Sequence, residues 1–172
     1  MAKTESRAAK AAAAGKSKGD GRGAEKQAGG SGRRALLEGL NEDLAHEYEA
    51  IISYLLYSRM VDGPMRPDLS GFLEGEIADE LEHAKFLAHK IVALGGTPTT
   101  EPAAVELPAD NRGMLERSLK SERDTIRRYT ERIEQAEAAG ELGLKVDLEA
   151  IVAQETQHKE DLERMLHGWK RG

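Results

Sequence analysis

The sequence contains no cysteine, and this absence removes several classes of protein from consideration. Disulfide scaffolds, iron–sulfur proteins and zinc sites built from thiolates all require cysteine. Aromatic residues are scarce as well, with only two Phe, one Trp and four Tyr among 172 residues. Hydrophobic residues make up 39% of the chain and charged residues 33%. This balance favours long amphipathic helices over a sheet, and the length suits one domain with a sizeable core.

Long apolar stretches are also missing. The chain has no run of about 18 apolar residues that could span a membrane, and its N-terminus lacks the apolar segment of a secretory signal. We therefore expect a cytoplasmic protein without a membrane partner, with a nucleoid-associated location as an alternative.

Charge is distributed unevenly along the chain. Residues 1–34 hold nine Lys or Arg against three Asp or Glu, a net charge of +6, whereas the remainder holds 16 basic and 28 acidic residues, a net charge of −12. The first 34 residues contain no Leu, Ile, Val or aromatic side chain. Such a segment cannot bury enough apolar surface to offset the entropy of ordering. We predict a disordered basic tail over 1–34, with DNA as a candidate partner, and a helical bundle over 35–172.

Four segments of the bundle repeat apolar residues at helical spacing. They predict helices from about Arg34 to Val61, Ser70 to Leu94, Arg112 to Ala139 and Leu144 to Trp169. Residues 97–111 carry three prolines and no periodicity, and at ~3.3 Å per residue they can reach roughly 50 Å. The sequence thus predicts an all-α, antiparallel four-helix bundle with a long crossover between its second and third helices and no fifth helix.

The first helical hairpin recurs in the second at an offset of 75 residues. Matching residues include four apolar or aromatic pairs: Leu40 with Leu115, Leu44 with Leu119, Ile51 with Ile126 and Tyr54 with Tyr129. The same offset carries Glu47 to Glu122, and it carries the Glu-x-x-His pair Glu80 and His83 to Glu155 and His158.

The four repeated glutamates each fall near the middle of an apolar helical stripe. Mid-helix positions meet in one layer of a four-helix bundle, where unpaired carboxylates would cost several kcal/mol each in desolvation. No Lys or Arg occupies a stripe position, so we expect two divalent cations to supply the missing charge. A site rich in carboxylate oxygens, with one imidazole for each ion, suits iron or manganese better than zinc or copper.

From Leu40 to Met165 the chain resembles bacterioferritin and its relatives in the ferritin-like superfamily. The matching motifs are Leu44-Ala-His-Glu-Tyr-Glu-Ala-Ile51 with Tyr54, Asp79-Glu-Leu-Glu-His83, the segment from Met114 to Glu122, and Gln154-Glu-Thr-Gln-His158. The resemblance implies a di-iron site with Glu47 and His83 on one iron, Glu122 and His158 on the other, and Glu80 and Glu155 bridging. It also places Tyr54 beside the site, as a hydrogen-bond donor or radical relay if it is not simply a core residue.

Two departures from bacterioferritin refine the expectation. Leu81 and Glu82 stand where the family carries its haem-ligating methionine, so we expect no haem. The basic tail and the missing fifth helix resemble the DNA-protecting miniferritins, and we favour a homo-oligomer of about 12 subunits over one of about 24. The miniferritins usually build their iron site between subunits, so the chain would be of mixed type.

The predicted function is oxidation of Fe(II) with O2 or H2O2, followed by iron storage or detoxification. The alternatives are a di-iron or di-manganese oxidase, peroxidase or catalase without storage, and a nucleoid-binding structural protein with an incidental metal site.

Overall fold

The computed structural model describes residues 21–169, which form four α-helices and, in that range, no strand. The helices are α1 (Gly21–Met60), α2 (Arg66–Ala93), α3 (Asn111–Ala138) and α4 (Leu142–Trp169). α1 packs against α2, α3 against α4, and the two hairpins meet chiefly between α1 and α3. The predicted all-α four-helix bundle is confirmed. In the described part of the chain, no helix combines the length and the hydropathy needed to cross a bilayer.

The start of α1 differs from the prediction. The helix begins at Gly21, well before the expected start near Arg34. Residues 30–35 are all exposed, so packing does not explain this extension. Residues 21–34 combine Ala, Glu, Lys and Gln, which favour a helix, with five glycines, which disfavour one, so helix propensity does not explain the early start either. Residues 1–20 lie outside the described range, so the predicted tail stays a prediction there.

Short turns close each helical hairpin. α2 begins at Arg66, four residues before its predicted start. Pro67, expected to lie in the turn after α1, lies instead in the first turn of α2, where the missing N–H would have no helical partner. α2 ends at Ala93, and the predicted stop signal follows it: Gly95 has φ 79°, and the Gly96 N–H donates to the Ile91 carbonyl at 2.8 Å. α3 ends in the same way at Gly140, with φ 76°. Only glycine adopts this left-handed conformation without strain.

The long crossover runs along α1. The Thr99 N–H donates to Asn41 Oδ1 at 2.7 Å, the Ala103 N–H to the Ala45 carbonyl at 2.8 Å, and the Tyr57 hydroxyl to the Glu106 carbonyl at 2.6 Å. The crossover therefore follows α1 toward its C-terminal end, where Asp110 Oδ1 accepts from the Gly113 N–H at 2.7 Å and caps α3. This path confirms the predicted crossover and makes α3 antiparallel to α1.

Two apolar clusters fill the bundle, one on each side of its middle. The first cluster contains Leu36, Leu40, Leu44, Ala84, Leu87, Ile91, Leu94, Tyr129, Ala136, Leu144, Leu148 and Ile151. The second contains Tyr54, Tyr57, Val61, Leu69, Leu73, Met114, Leu115, Leu119 and Leu162. On every helix the predicted mid-stripe glutamate falls between its residues of the two clusters, so a polar layer separates them.

Candidate metal centre

The polar layer contains the six residues that the sequence analysis singled out. Each helix contributes one buried glutamate, and none of the four side chains is more than slightly exposed: Glu47, Glu80, Glu122 and Glu155. α2 adds His83 and α4 adds His158, both buried. Glutamate and histidine share a face in each Glu-x-x-His pair because residues three apart are neighbours on a helix.

One group of possible metal ligands surrounds His83. Its Nδ1 lies 3.0 Å from Glu155 Oε1, 3.5 Å from Glu80 Oε2 and 3.8 Å from Glu47 Oε2. One donor atom from each of these four residues falls within 4.8 Å of the others. Four converging donors from three helices are sufficient to hold one cation.

A second group lies beside the first and shares two of its members. It consists of Glu80, Glu122, Glu155 and His158, again with donor atoms within 4.8 Å of one another. His158 Nδ1 lies 3.4 Å from Glu155 Oε2. Glu80 and Glu155 belong to both groups, so the six residues form two adjoining positions with two carboxylates between them.

A tyrosine supports the unshared glutamate of each group. The Tyr54 hydroxyl donates to Glu122 Oε1, and the Tyr129 hydroxyl donates to Glu47 Oε1 at 2.5 Å. Tyr54 therefore lies beside the centre, where the sequence analysis placed it. Tyr129 was missed as a site residue, although the 75-residue repeat pairs it with Tyr54 and could have identified it.

Further polar residues, not predicted, approach the two histidines from outside. Glu76 Oε2 lies 3.2 Å from His158 Nδ1, and Asp79 Oδ2 lies 3.5 Å from His158 Nε2. His83 Nε2 lies 3.3 Å from Gln154 Oε1. The signal for Glu76 was its position one helical turn before Glu80. The histidines thus differ in the charge of their outer neighbours.

Burial and mutual repulsion shift the pKa values in this layer. Burial, reinforced by Glu155, raises the pKa of both Glu80 and Glu122 well above the usual carboxyl range. Burial also favours a high pKa for Glu155, but the imidazoles of His158 and His83 outweigh it and lower that pKa. For His83 burial acts to lower the pKa, and the surrounding carboxylates more than reverse it. Without a cation, the layer therefore disfavours ionisation of all four of its carboxyl groups at once.

Several donor atoms in the layer have no hydrogen-bond partner. These buried atoms are Glu47 Oε2, both carboxylate oxygens of Glu155, and Nδ1 of His83 and His158. In the described part of the chain, no Lys or Arg forms a salt bridge with any of the four glutamates. Buried polar atoms normally find partners. The unpartnered carboxylate and imidazole atoms fit divalent iron or manganese, which accept such ligands.

Two buried ion-pair clusters outside the layer were not anticipated. Asp43 pairs with Arg128 and Arg132, and Glu49 pairs with Arg117. The two cationic partners of Asp43 directly precede stripe positions, Tyr129 and Ile133, and their long side chains reach into the α1–α3 interface. Arginines thus do enter the interior, but they pair with Asp43 and Glu49 and not with the four glutamates of the layer.

The chain is similar to several known proteins. A family model for the ferritin-like domain matches residues 37–172. A bacterioferritin of Mycobacterium tuberculosis is 31% identical over 132 residues, which cover 76% of this chain and 83% of the relative.

Two solved structures have a similar fold. A ferritin-like, diiron-carboxylate protein from Bacillus anthracis is 50% identical, with a TM-score of 0.78, and covers 78% of this chain and 97% of its own. A dodecameric thioferritin, the bacterioferritin-related protein from Bacteroides fragilis, is 26% identical, with a TM-score of 0.74, and covers 81% of this chain and 88% of its own. The family match spans most of the chain and includes all four helices of the bundle. The protein belongs to the ferritin-like family, with candidate carboxylate and histidine metal sites in its central layer.

Proposed function

We propose that the protein oxidises Fe²⁺ at a di-iron site and stores or detoxifies the iron. The site consists of six ligands: Glu47, Glu80, His83, Glu122, Glu155 and His158. The observation that carries the proposal is the pair of adjoining four-residue groups that share Glu80 and Glu155. Shared carboxylates are what two ions a few ångströms apart require, roughly 3.5–4 Å in two-metal sites generally.

The ferrous ions are the substrate in this reaction. Each of two Fe²⁺ ions gives up one electron, and O2 takes both electrons with two protons and leaves as H2O2. With H2O2 as the oxidant, the same two electrons and two protons produce water. The bundle holds the ligands in place before the ions arrive, and the tyrosine hydroxyls orient Glu47 and Glu122.

The relatives support this proposal at the level of the site. The Mycobacterium tuberculosis relative is a bacterioferritin, and the Bacillus anthracis protein is a diiron-carboxylate protein. Manganese remains the alternative metal because the same oxygen-rich donors accept it. A haem cofactor is not proposed, since Leu81 offers no ligand atom and its side chain is largely exposed. A visible haem band in the purified protein would contradict that part of the proposal.

The decisive experiment is an aerobic titration with Fe²⁺. We expect ferric absorption to appear within the time of mixing and a mineral core to be visible by electron microscopy at high loading. A parallel titration with Mn²⁺ and H2O2, followed by oxygen release, tests the catalase alternative. Fe²⁺ oxidation no faster than in buffer would reject the ferroxidase, and oxidation without a mineral core would leave an oxidase without storage.

A closed assembly would provide the enclosed volume that storage needs. We favour about 12 subunits over about 24, since the Bacteroides fragilis protein is a dodecamer and closed symmetry is the rule for homo-oligomers. Light scattering coupled to size exclusion measures the mass directly. A monomer or dimer would favour a small di-iron enzyme over a storage protein.

The basic segment over 1–34 is proposed to bind DNA through its phosphates. Its net charge of +6 contrasts with the −12 of the remainder, and an assembly would present many copies. Phosphate contacts weaken steeply with salt. A gel-shift assay should compare the full chain with one that begins at Ser31, at low and at moderate salt. Equal retardation of the two chains, or none at low salt, would exclude the segment as a DNA anchor.

A further inference from the structure

The 75-residue repeat breaks down at three buried positions next to the metal centre. The offset carries Asp43 to Ser118. It carries Ser53 to Arg128 and Tyr57 to Arg132. All six residues are buried and belong to α1 and α3. The ligands and their tyrosines obey the repeat, so these three differences lie behind the ligands and not among them.

On the Glu47 side the three positions form a charged network. Arg132 Nε donates to Asp43 Oδ2 at 2.8 Å, and Arg128 Nε lies 3.5 Å from Asp43 Oδ1. Asp43 precedes Glu47 by one helical turn on α1, and Arg128 directly precedes Tyr129 on α3. The network therefore joins the two helix segments that carry the hydrogen bond from Tyr129 to Glu47.

Gly39 provides the space that this network needs. It lies on α1 one turn before Asp43, and a Cβ at this position would lie 1.9 Å from Arg132 Nη1 and 2.2 Å from Arg132 Cζ. The guanidinium thus rests directly on the backbone of α1. The matching position on α3 holds Met114, so this space is not part of the repeat.

On the Glu122 side the three positions hold uncharged residues. Ser118, Ser53 and Tyr57 line a cavity of about 10 Å³ next to Tyr54. The charge nearby comes from one ion pair, Glu49 with Arg117 at 3.3 Å, and Glu49 also accepts from the Ser53 hydroxyl at 2.8 Å. The hydrogen bond from Tyr54 to Glu122 is therefore backed by a single ion pair and a small void, instead of one carboxylate held by two arginines.

We propose that Asp43, Arg128 and Arg132 form a positioning network for Glu47. Two arginines on one buried carboxylate hold the Glu47 side in place more firmly than the single Glu49–Arg117 pair holds the Glu122 side. This inference rests on the proposed metal site, and it concerns the binding of ions rather than their oxidation. Loss of residues that orient metal ligands typically costs about 10–100-fold in affinity.

The test compares Zn²⁺ occupancy at the two positions. Crystals of the wild-type protein, Gly39→Ala and Gly75→Ala are grown with one equivalent of Zn²⁺ per chain, and anomalous scattering gives the occupancy beside His83 and beside His158. Gly75 is a helical glycine with open space around its missing Cβ, so Gly75→Ala is a matched control. Zn²⁺ has no redox chemistry, so the result does not depend on ferroxidase activity.

We expect the ratio of occupancy beside His83 to that beside His158 to fall about 10-fold in Gly39→Ala and to stay unchanged in Gly75→Ala. If Gly39→Ala does not fold, Arg132→Met takes its place. It leaves Asp43 paired with Arg128 alone and should lower the same ratio. An unchanged ratio in the variant that folds, with Arg132 displaced or absent, would overturn the proposal. Failure of Zn²⁺ to bind either position would overturn it as well, whereas absent Fe²⁺ oxidation with the expected ratio would reject only the ferroxidase.

Discussion

The two metal positions of the central layer have the same kinds of ligand and different surroundings. The Glu47–His83 position is backed by buried charges, and its histidine meets the neutral side chain of Gln154. The Glu122–His158 position is backed by serines and one ion pair, Glu49 with Arg117. Its histidine meets Glu76 and Asp79, of which Asp79 is half exposed. The two positions therefore have the same donor residues, but the residues around those donors differ. Equal ligand sets therefore do not imply equal affinities or equal access.

The largest expected effect separates the shared ligands from the unshared ones. Glu80→Ala should abolish binding at both positions because Glu80 belongs to both groups, whereas Glu47→Ala should empty mainly the position beside His83. Each loss should exceed the roughly 10–100-fold that follows loss of an orienting residue. Metal analysis after loading with Fe²⁺ measures the stoichiometry. A wild-type iron content and oxidation rate in Glu80→Ala would refute the assignment of Glu80.

A second prediction concerns the charged network itself. Burial raises the pKa of Asp43 to about 6 from 3.8, and Arg132 reverses the shift only in part. Between these values the folded protein holds a proton that the unfolded chain releases, so the contribution of Asp43 to stability is lost as pH rises from about 4 to about 6. The loss amounts to about 3 kcal/mol.

Asp43→Asn removes this titration and provides the reference. The free energy of unfolding of the wild type, measured with urea at a fixed protein concentration, should decline relative to that of Asp43→Asn as pH rises through this window. Parallel pH profiles would show that the arginines fully compensate the ionised Asp43, and the predicted rise in its pKa would be wrong.

Substitution of the two tyrosines tests whether the metal positions lose Zn²⁺ independently of each other. Tyr129→Phe leaves an oxygen of Glu47 without its donor, and Tyr54→Phe does the same for Glu122. A buried acceptor that loses its partner costs about 1–3 kcal/mol. Zn²⁺ occupancy should fall beside His83 in the first variant and beside His158 in the second. A fall at both positions in either variant would mean that the halves are coupled through Glu80 and Glu155.

The smallest expected effect lies on the Glu122 side. Ser53→Ala removes the hydroxyl that donates to Glu49 at 2.8 Å and should cost about 1 kcal/mol of stability. Because the Ser53 hydroxyl donates to Glu49 and not to Glu122, the ratio of Zn²⁺ occupancies should stay at its wild-type value. A shift in that ratio as large as the one expected for Gly39→Ala would remove the distinction between the two sides.

Much of the fold and of the centre could be predicted from two features of the sequence, the apolar spacing and the 75-residue repeat. Apolar spacing gave the four helices, and the repeat brought together all six candidate ligands, because a mid-helix polar residue in an apolar stripe must meet its equivalents. The burial of Arg128 and Arg132 was not predicted, because each lies beside the apolar stripe and reaches inward with a long side chain. The role of Gly39 could not be predicted, since it depends on where a guanidinium from another helix comes to rest.

The central layer also decides how the helices may slide along one another. Displacing one helix by a single turn, about 5.4 Å, would drive its glutamate into one of the two apolar clusters and an apolar residue, such as Leu44 on α1, into the carboxylates. Each such error would bury a charge without its partners. Alternative alignments of an all-leucine bundle would differ little in energy, whereas here every misaligned arrangement carries a penalty. The residues proposed to bind iron therefore also select one alignment of the helices along the bundle axis during folding, before any ion is present.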